Sequence, residues 1–226
     1  VTKTSTRENP DGIPEKAIRP LGTLHLTLGV MSLLAKERVG SALKVLKEID
    51  ILELLLSSKL GRESIEAIES KGKGDAKGSD EEILANASLP SLNITLRGLV
   101  SMHDPSKTSI LYSSPVDEDR RLYSFCQKLR NIFTAADLII EDTRPLLLHA
   151  TIVNTVYVPG VRGKGSGHGK NRAKLTLDAT ELVQDYDEFV WMKDVRLEKV
   201  AICRMGARKK EDGEEEYVIE GEANMP

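Results

Sequence analysis

The feature that most constrains this chain is a short pattern written twice. Leu24-His25-Leu26-Thr27-Leu28 comes early, and Leu148-His149-Ala150-Thr151-Ile152 comes more than half the chain later. In an extended strand, side chains alternate between faces, so residues i and i+2 share one. Each copy therefore sets an imidazole and a hydroxyl together: His25 with Thr27, and His149 with Thr151. Leu24, Leu26 and Leu28 in the first copy, and Leu148, Ala150 and Ile152 in the second, fall on the opposite face and predict a buried side. A single His in an apolar strand is an ordinary structural residue. Two copies with the same alternation predict two similar lobes, each supplying half of one site.

A chain of 226 residues suits one domain or two small lobes, and 40% hydrophobic residues are enough for a core. The 30% charged residues point to a soluble protein. The net charge of −3 argues against a protein that coats long nucleic acid, because such proteins are usually basic. A short oligonucleotide or a nucleotide end held in one cleft remains compatible. Cys126 and Cys203 sit among apolar residues without metal-ligand spacing, so both are expected to be buried, reduced thiols of an intracellular protein, in nucleus or cytoplasm. No apolar run approaches the roughly 18 residues of a membrane span, and no signal peptide is visible.

Residues 1–20 are polar, with Pro10, Pro14, Pro20 and an Asp11-Gly12 turn signal, and read as a loop or tail before a domain over residues 21–220. The chain opens on Val1, and no alternating apolar run precedes the first motif. The expectation is a chain truncated before its first strand, which would leave an open sheet edge.

The first motif predicts a strand from Gly22 to about Leu33. Val39, Leu43, Leu46, Ile49, Leu52 and Leu56 then recur at helical spacing and predict a core-packing helix from Lys36 to about Ser57. Residues 62–82 are charged and Gly-containing and read as a flexible insertion. Leu89 to Met102 alternates as a strand, with Leu92, Ile94 and Leu96 inward. His103-Asp104-Pro105 turns the chain into a short strand, Ser109 to Tyr112, and His103 reads as a loop residue. Asp117 is placed as N-cap of a helix reaching about Ala136, with Leu122, Phe125, Leu129, Ile132 and Phe133 buried. The second motif predicts a strand over Leu146–Val158, preceded by a surface Arg144.

Residues 159–174 form a second insertion, basic and Gly-rich. They fail the spacing of a phosphate-binding P-loop, since position 164 is Lys and position 171 is Asn. A basic loop beside the second motif, with His168 in it, is the better reading. Leu177 to Val190 predicts a helix, Asp194 to Arg204 a strand, and Tyr217 to Ile219 a short return strand after an Asp212-Gly213 turn.

The paired His-x-Thr motifs, with the wording of Thr23 to Leu34 and Leu148 to Val158, resemble the 2H phosphoesterases, the superfamily of 2′,5′-RNA-ligase-like proteins and cyclic nucleotide phosphodiesterases. The branch most similar holds the phosphoesterase domain of A-kinase anchoring proteins and a domain of a subunit of the activating signal cointegrator complex. The resemblance runs from roughly residue 20 to roughly residue 205. It implies an α+β fold of two β-α-β lobes whose antiparallel sheets face a central cleft. No amphipathic anchoring helix and no RNA-binding KH signature stand in this chain, so neither kinase anchoring nor the cointegrator's domain order follows.

The chemistry of the residues agrees with that class. Splitting a phosphodiester needs a base for the attacking oxygen, an acid for the leaving one, and donors for the non-bridging oxygens. Histidine titrates near neutrality, so a neutral imidazole and an imidazolium can coexist in one site. The expected catalytic pair is His25 and His149, with Thr27 and Thr151 binding the phosphate. No cofactor or metal is required by this scheme. The resemblance implies a 2′,3′-cyclic phosphate or a 2′,5′- or 3′,5′-linked oligoribonucleotide as substrate. The alternative is a nucleotide or RNA-end binding module with little turnover inside a transcription or RNA-processing complex. The expected partners are a small oligoribonucleotide or nucleotide in the cleft and proteins of such a complex, with no membrane and a monomeric state.

Overall fold

The structure, a computed structural model, describes residues 12–58, 91–140, 142–158 and 175–226. Both insertions named above, with His168, lie essentially outside these residues. The fold is α+β with antiparallel sheets. Strands β1 (Asn93–Ser101), β2 (Ile110–Val116), β3 (Ala150–Asn154) and β4 (Val190–Arg196) form one sheet in the order β3-β2-β1-β4. Strands β5 (Lys199–Lys209) and β6 (Glu215–Asn224) form a separate hairpin.

β1 shows why one strand can serve two cores. Leu92, Ile94 and Leu96 alternate inward as expected, in a cluster with Leu122, Phe125 and Leu129 of a helix on that side. At Gly98 the backbone takes φ +75°, the pairing slips, and Leu99 turns into a second cluster with Leu111, Val153 and Leu182. An added Cβ at Gly98 would stand 2.6 Å from the Asp187 carbonyl oxygen, so this bulge requires glycine on both counts.

The helix expected over Lys36–Ser57 is two helices: α1 (Lys36–Glu48) and α2, residues 51–58. Ile49 is extended, and the Asp50 carboxylate accepts from the Glu53 amide at 2.9 Å. An Asp able to cap a new helix competes with continuing the old one. The buried stripe shifts phase at the break. Ala42 and Leu46 are buried in α1, then Ile51 and Leu55 in α2, leaving Leu52 exposed. α1 lies against the β5–β6 hairpin, and Gly221 of β6 makes this approach possible because a Cβ there would collide with Leu43.

Helix α3 (Leu122–Ala135) starts later than Asp117, which still caps it from outside the helix. Its carboxylate accepts from the Arg121 amide at 2.6 Å and the Leu122 amide at 3.0 Å, across a turn with Arg120 at φ +52°. The expected stripe is inward except for Ile132, which is only half-buried, with Leu129 fully buried and Cys126 beside it.

Four further expectations change. The helix α4 is only Thr180–Asp185, because β4 begins at Val190 and the Gly98 amide already pairs with the Phe189 carbonyl at 2.8 Å. The strand expected over Asp194–Arg204 is the end of β4 and the start of β5. Leu197 and Glu198 are where the chain leaves the sheet for the hairpin, the Leu197 amide bonding the Leu92 carbonyl at 2.9 Å. The return strand β6 is far longer than Tyr217–Ile219, since it is sustained by pairing along β5. Cys203 is exposed, on a two-stranded ribbon too small to cover both faces, whereas Cys126 is buried.

Candidate functional site

The two motifs reach similar local geometry by different routes. Residues 24–30 belong to no helix or strand ladder, so the strand expected from Gly22 to Leu33 is not formed. The segment is fixed at its ends instead. Before it, a 3-10 turn over Leu21–Thr23 is closed by the Leu24 amide on the Leu21 carbonyl (3.0 Å) and the Thr23 hydroxyl on the Pro20 carbonyl (2.7 Å). After it, Met31 bridges Ile139, and the Ile140 amide donates to the Val30 carbonyl at 2.9 Å. The second motif enters the sheet directly. His149 stands just before β3, and Thr151 is in β3 opposite Tyr112 of β2. The strand expected over Leu146–Val158 is therefore only Ala150–Asn154, followed by a 3-10 turn over Thr155–Tyr157.

The apolar alternation is realised in part, since Ile152 is only half-buried and Val153 beside it takes the buried place after a register shift. Leu148 and Ala150 are buried, while Leu26 and Leu28 pack half-buried against the same cluster, which also holds Leu129 of α3 and Leu55 of α2. One core thus backs both motifs. Of the polar motif residues, His25 is exposed and Thr27, His149 and Thr151 are partly exposed.

Each imidazole is oriented in the same way. His25 Nδ1 lies 2.8 Å from the Thr23 carbonyl oxygen, and His149 Nδ1 lies 2.9 Å from the Leu147 carbonyl oxygen. A carbonyl only accepts, so in both rings Nδ1 carries the proton and donates. That contact leaves Nε2 as the nitrogen available for proton transfer. Each ring also meets a tyrosine edge-on: Tyr217 of β6 at 4.8 Å from His25, and Tyr112 of β2 at 5.3 Å from His149.

The tyrosines and their neighbours are what the sequence reading missed. Tyr157 and Arg19 are the groups that act on the Tyr217 phenol. Burial first, and Tyr157 second, push the Tyr217 phenol above the ordinary tyrosine range, while Arg19 acts in the opposite direction. The Arg19 guanidinium lies over the Tyr157 ring, 3.8 Å from its centroid. No local signal marks these residues, because strand pairing distant in sequence brings them to the first motif.

Other candidates separate cleanly from the motifs. His103 is exposed in its loop. Arg144 is an exposed residue ion-paired with Asp142 at 2.7 Å, and that pairing holds the Asp142 carboxyl well below the usual range. A concavity of about 390 Å³ lined by Val45, Glu48, Asp50, Glu53, Ser57 and Ile132 includes no motif residue. Among the described residues, no cluster of three or more His, Cys, Asp or Glu is placed to hold a metal ion, and no helix is long and apolar enough to cross a membrane.

Residues 2–225 match the family described as the AKAP7 2′,5′ RNA ligase-like domain. The chain belongs to that family. An uncharacterized protein of the fission yeast Schizosaccharomyces pombe is 28% identical to it over 129 residues, which is 57% of this chain and 56% of that protein. The chain thus spans about half the length of this curated relative. Membership in the AKAP7 2′,5′ RNA ligase-like family places the chain among proteins of the 2H phosphoesterase type, and both His-x-Thr motifs lie inside the matched region.

Proposed function

We propose that this domain is a phosphoesterase acting on RNA ends or small oligoribonucleotides, on a 2′,3′-cyclic phosphate or a 2′,5′ or 3′,5′ linkage. His25 and His149 act as the acid–base pair, and Thr27 and Thr151 donate to the non-bridging phosphate oxygens. One imidazole takes the proton of the attacking oxygen at Nε2, and the other gives a proton to the leaving oxygen from Nε2. Each such role contributes about 10²- to 10⁴-fold in rate. The scheme calls on no metal. The observation that carries this reading is the matched setting of the two rings, each with Nδ1 on the carbonyl two residues back and Nε2 left for chemistry.

The test is hydrolysis of a nucleoside 2′,3′-cyclic phosphate and of a 2′,5′-linked oligoadenylate in the presence of chelator. Wild type is compared with His25→Ala and His149→Ala. Turnover in chelator that both substitutions abolish supports the proposal, and turnover that survives either substitution refutes it.

One observation favours a second reading. The first motif lies outside any strand ladder among the described residues, so its imidazole is placed by tertiary contacts rather than by strand pairing. A binding module for nucleotides or RNA ends, working inside a larger complex with little turnover, does not need two equivalently mounted acid–base groups. Saturable nucleotide binding without hydrolysis would favour it.

A further inference from the structure

We propose that Tyr217 is a positioning residue for His25, and that Arg19 and Tyr157 anchor it to the strand that carries the second motif. The inference rests on the acid–base role assigned to His25. Among the described residues the His25 ring has one hydrogen bond, to the Thr23 carbonyl, and its segment is hydrogen-bonded to no strand in a ladder. One bond fixes the tautomer and one point of the ring, not its tilt. The edge-on Tyr217 ring, 72° from the imidazole plane, supplies the second constraint.

Tyr217 is itself met from the other sheet. Tyr157 and Arg19 are the groups that act on its phenol, and Arg19 lies over the Tyr157 ring. Both anchors are fixed to β3. Tyr157 is in the turn directly after it, the Arg19 amide donates to the Ile152 carbonyl at 2.8 Å, and Ile18 bridges Val153. The relay therefore runs from His25 through Tyr217 to Tyr157 and Arg19, and ends one residue beyond Thr151.

The second motif has no need of such a relay. Tyr112 reaches His149 from the adjacent strand and pairs with Thr151 in register.

The test uses the whole chain with Tyr217→Leu, Tyr217→Phe and Arg19→Met. Two readouts are taken: the imidazole proton and carbon resonances of both motif histidines by NMR, and kcat and KM on a nucleoside 2′,3′-cyclic phosphate. Tyr217→Leu is expected to move the His25 resonances and leave those of His149 in place. It should lower kcat by about 10- to 100-fold, the effect of a displaced catalytic group, with KM within about twofold. Tyr217→Phe, which keeps the ring but cuts the phenol contacts, and Arg19→Met should show the same pattern with smaller size. Unmoved His25 resonances in Tyr217→Leu and Arg19→Met would overturn the proposal, and so would equal movement of both histidines, the mark of general loosening. If wild type does not hydrolyse the substrate, the proposed function fails while the resonances still decide this inference.

Discussion

The two His-x-Thr segments carry nearly the same local sequence, and they are held by different physics. Around His149 the chain enters β3, and ladder hydrogen bonds to β2 fix residues 150–154. Around His25 the chain is pinned by a 3-10 turn before, a single bridge after, and side chains of the β5–β6 hairpin beside it. The Gly22 position shows how close that hairpin comes, since a Cβ there would lie 2.6 Å from the Glu215 carbonyl oxygen. The same motif can thus be secondary structure in one place and tertiary packing in another. What the two share is the core behind them and the carbonyl in front of Nδ1.

The largest expected effect tests whether the two regions are equal in chemistry despite this difference. His25→Ala and His149→Ala should each lower kcat by about 10²- to 10⁴-fold, as loss of a general acid or base does. A loss confined to His149 in the hydrolysis assay would break the symmetry and leave the first motif a binding element only.

Next in size is the shared support. Leu129 is fully buried in the cluster that backs both motifs. Leu129→Ala should cost about 2–5 kcal/mol in urea unfolding through lost transfer energy and the cavity left behind. It should disturb both histidines alike, and an NMR change limited to one motif would contradict a common core.

A smaller effect separates the two regions. Gly22→Ala forces its Cβ toward the Glu215 backbone, which has no flexible end to swing aside. The cost should be about 1–3 kcal/mol, as for other overpacked sites. Amide exchange should rise at residues 24–30 and in β6 while β3 keeps its protection. Equal exchange in both regions would show that the first motif does not depend on the hairpin.

The smallest effect concerns the thiols of the same two regions, Cys126 behind the shared core and Cys203 on the hairpin. Burial, with Asp117 adding to it, pushes the Cys126 thiol up to about 12. An aromatic disulfide reagent at neutral pH should therefore modify Cys203 in the native protein and Cys126 only after unfolding. The same shift gives a pH dependence. Below about 9 both states hold the thiol proton. Between about 9 and about 12 the unfolded chain releases it and the folded chain keeps it, so stability falls as pH rises. Replacing Cys126 by Ala should flatten that alkaline slope in urea titrations, and an unchanged slope would assign it to other groups.

Legibility in the sequence followed the range of the forces. Side-chain alternation is a property of two bonds along the chain, so the burial of Leu148 and Ala150 could be read directly. The 3.6-residue period of α3 was equally plain, because Leu122, Phe125, Leu129 and Phe133 share one face whatever lies beyond. The break at Asp50 was less so, since a capping carboxylate and a continuing helix compete within about 1 kcal/mol, and packing of Ile51 and Leu55 tips the balance.

By itself, then, the sequence determined the two motifs, an α+β pattern and the family. Tertiary structure alone decided that only the second motif enters a sheet, that Tyr217 meets His25, and that Arg19 stacks on Tyr157. The physical reason is that these neighbours are set by pairing between segments remote in sequence, β6 with β5 and residue 18 with β3, and local periodicity carries no record of which remote segment a strand will meet.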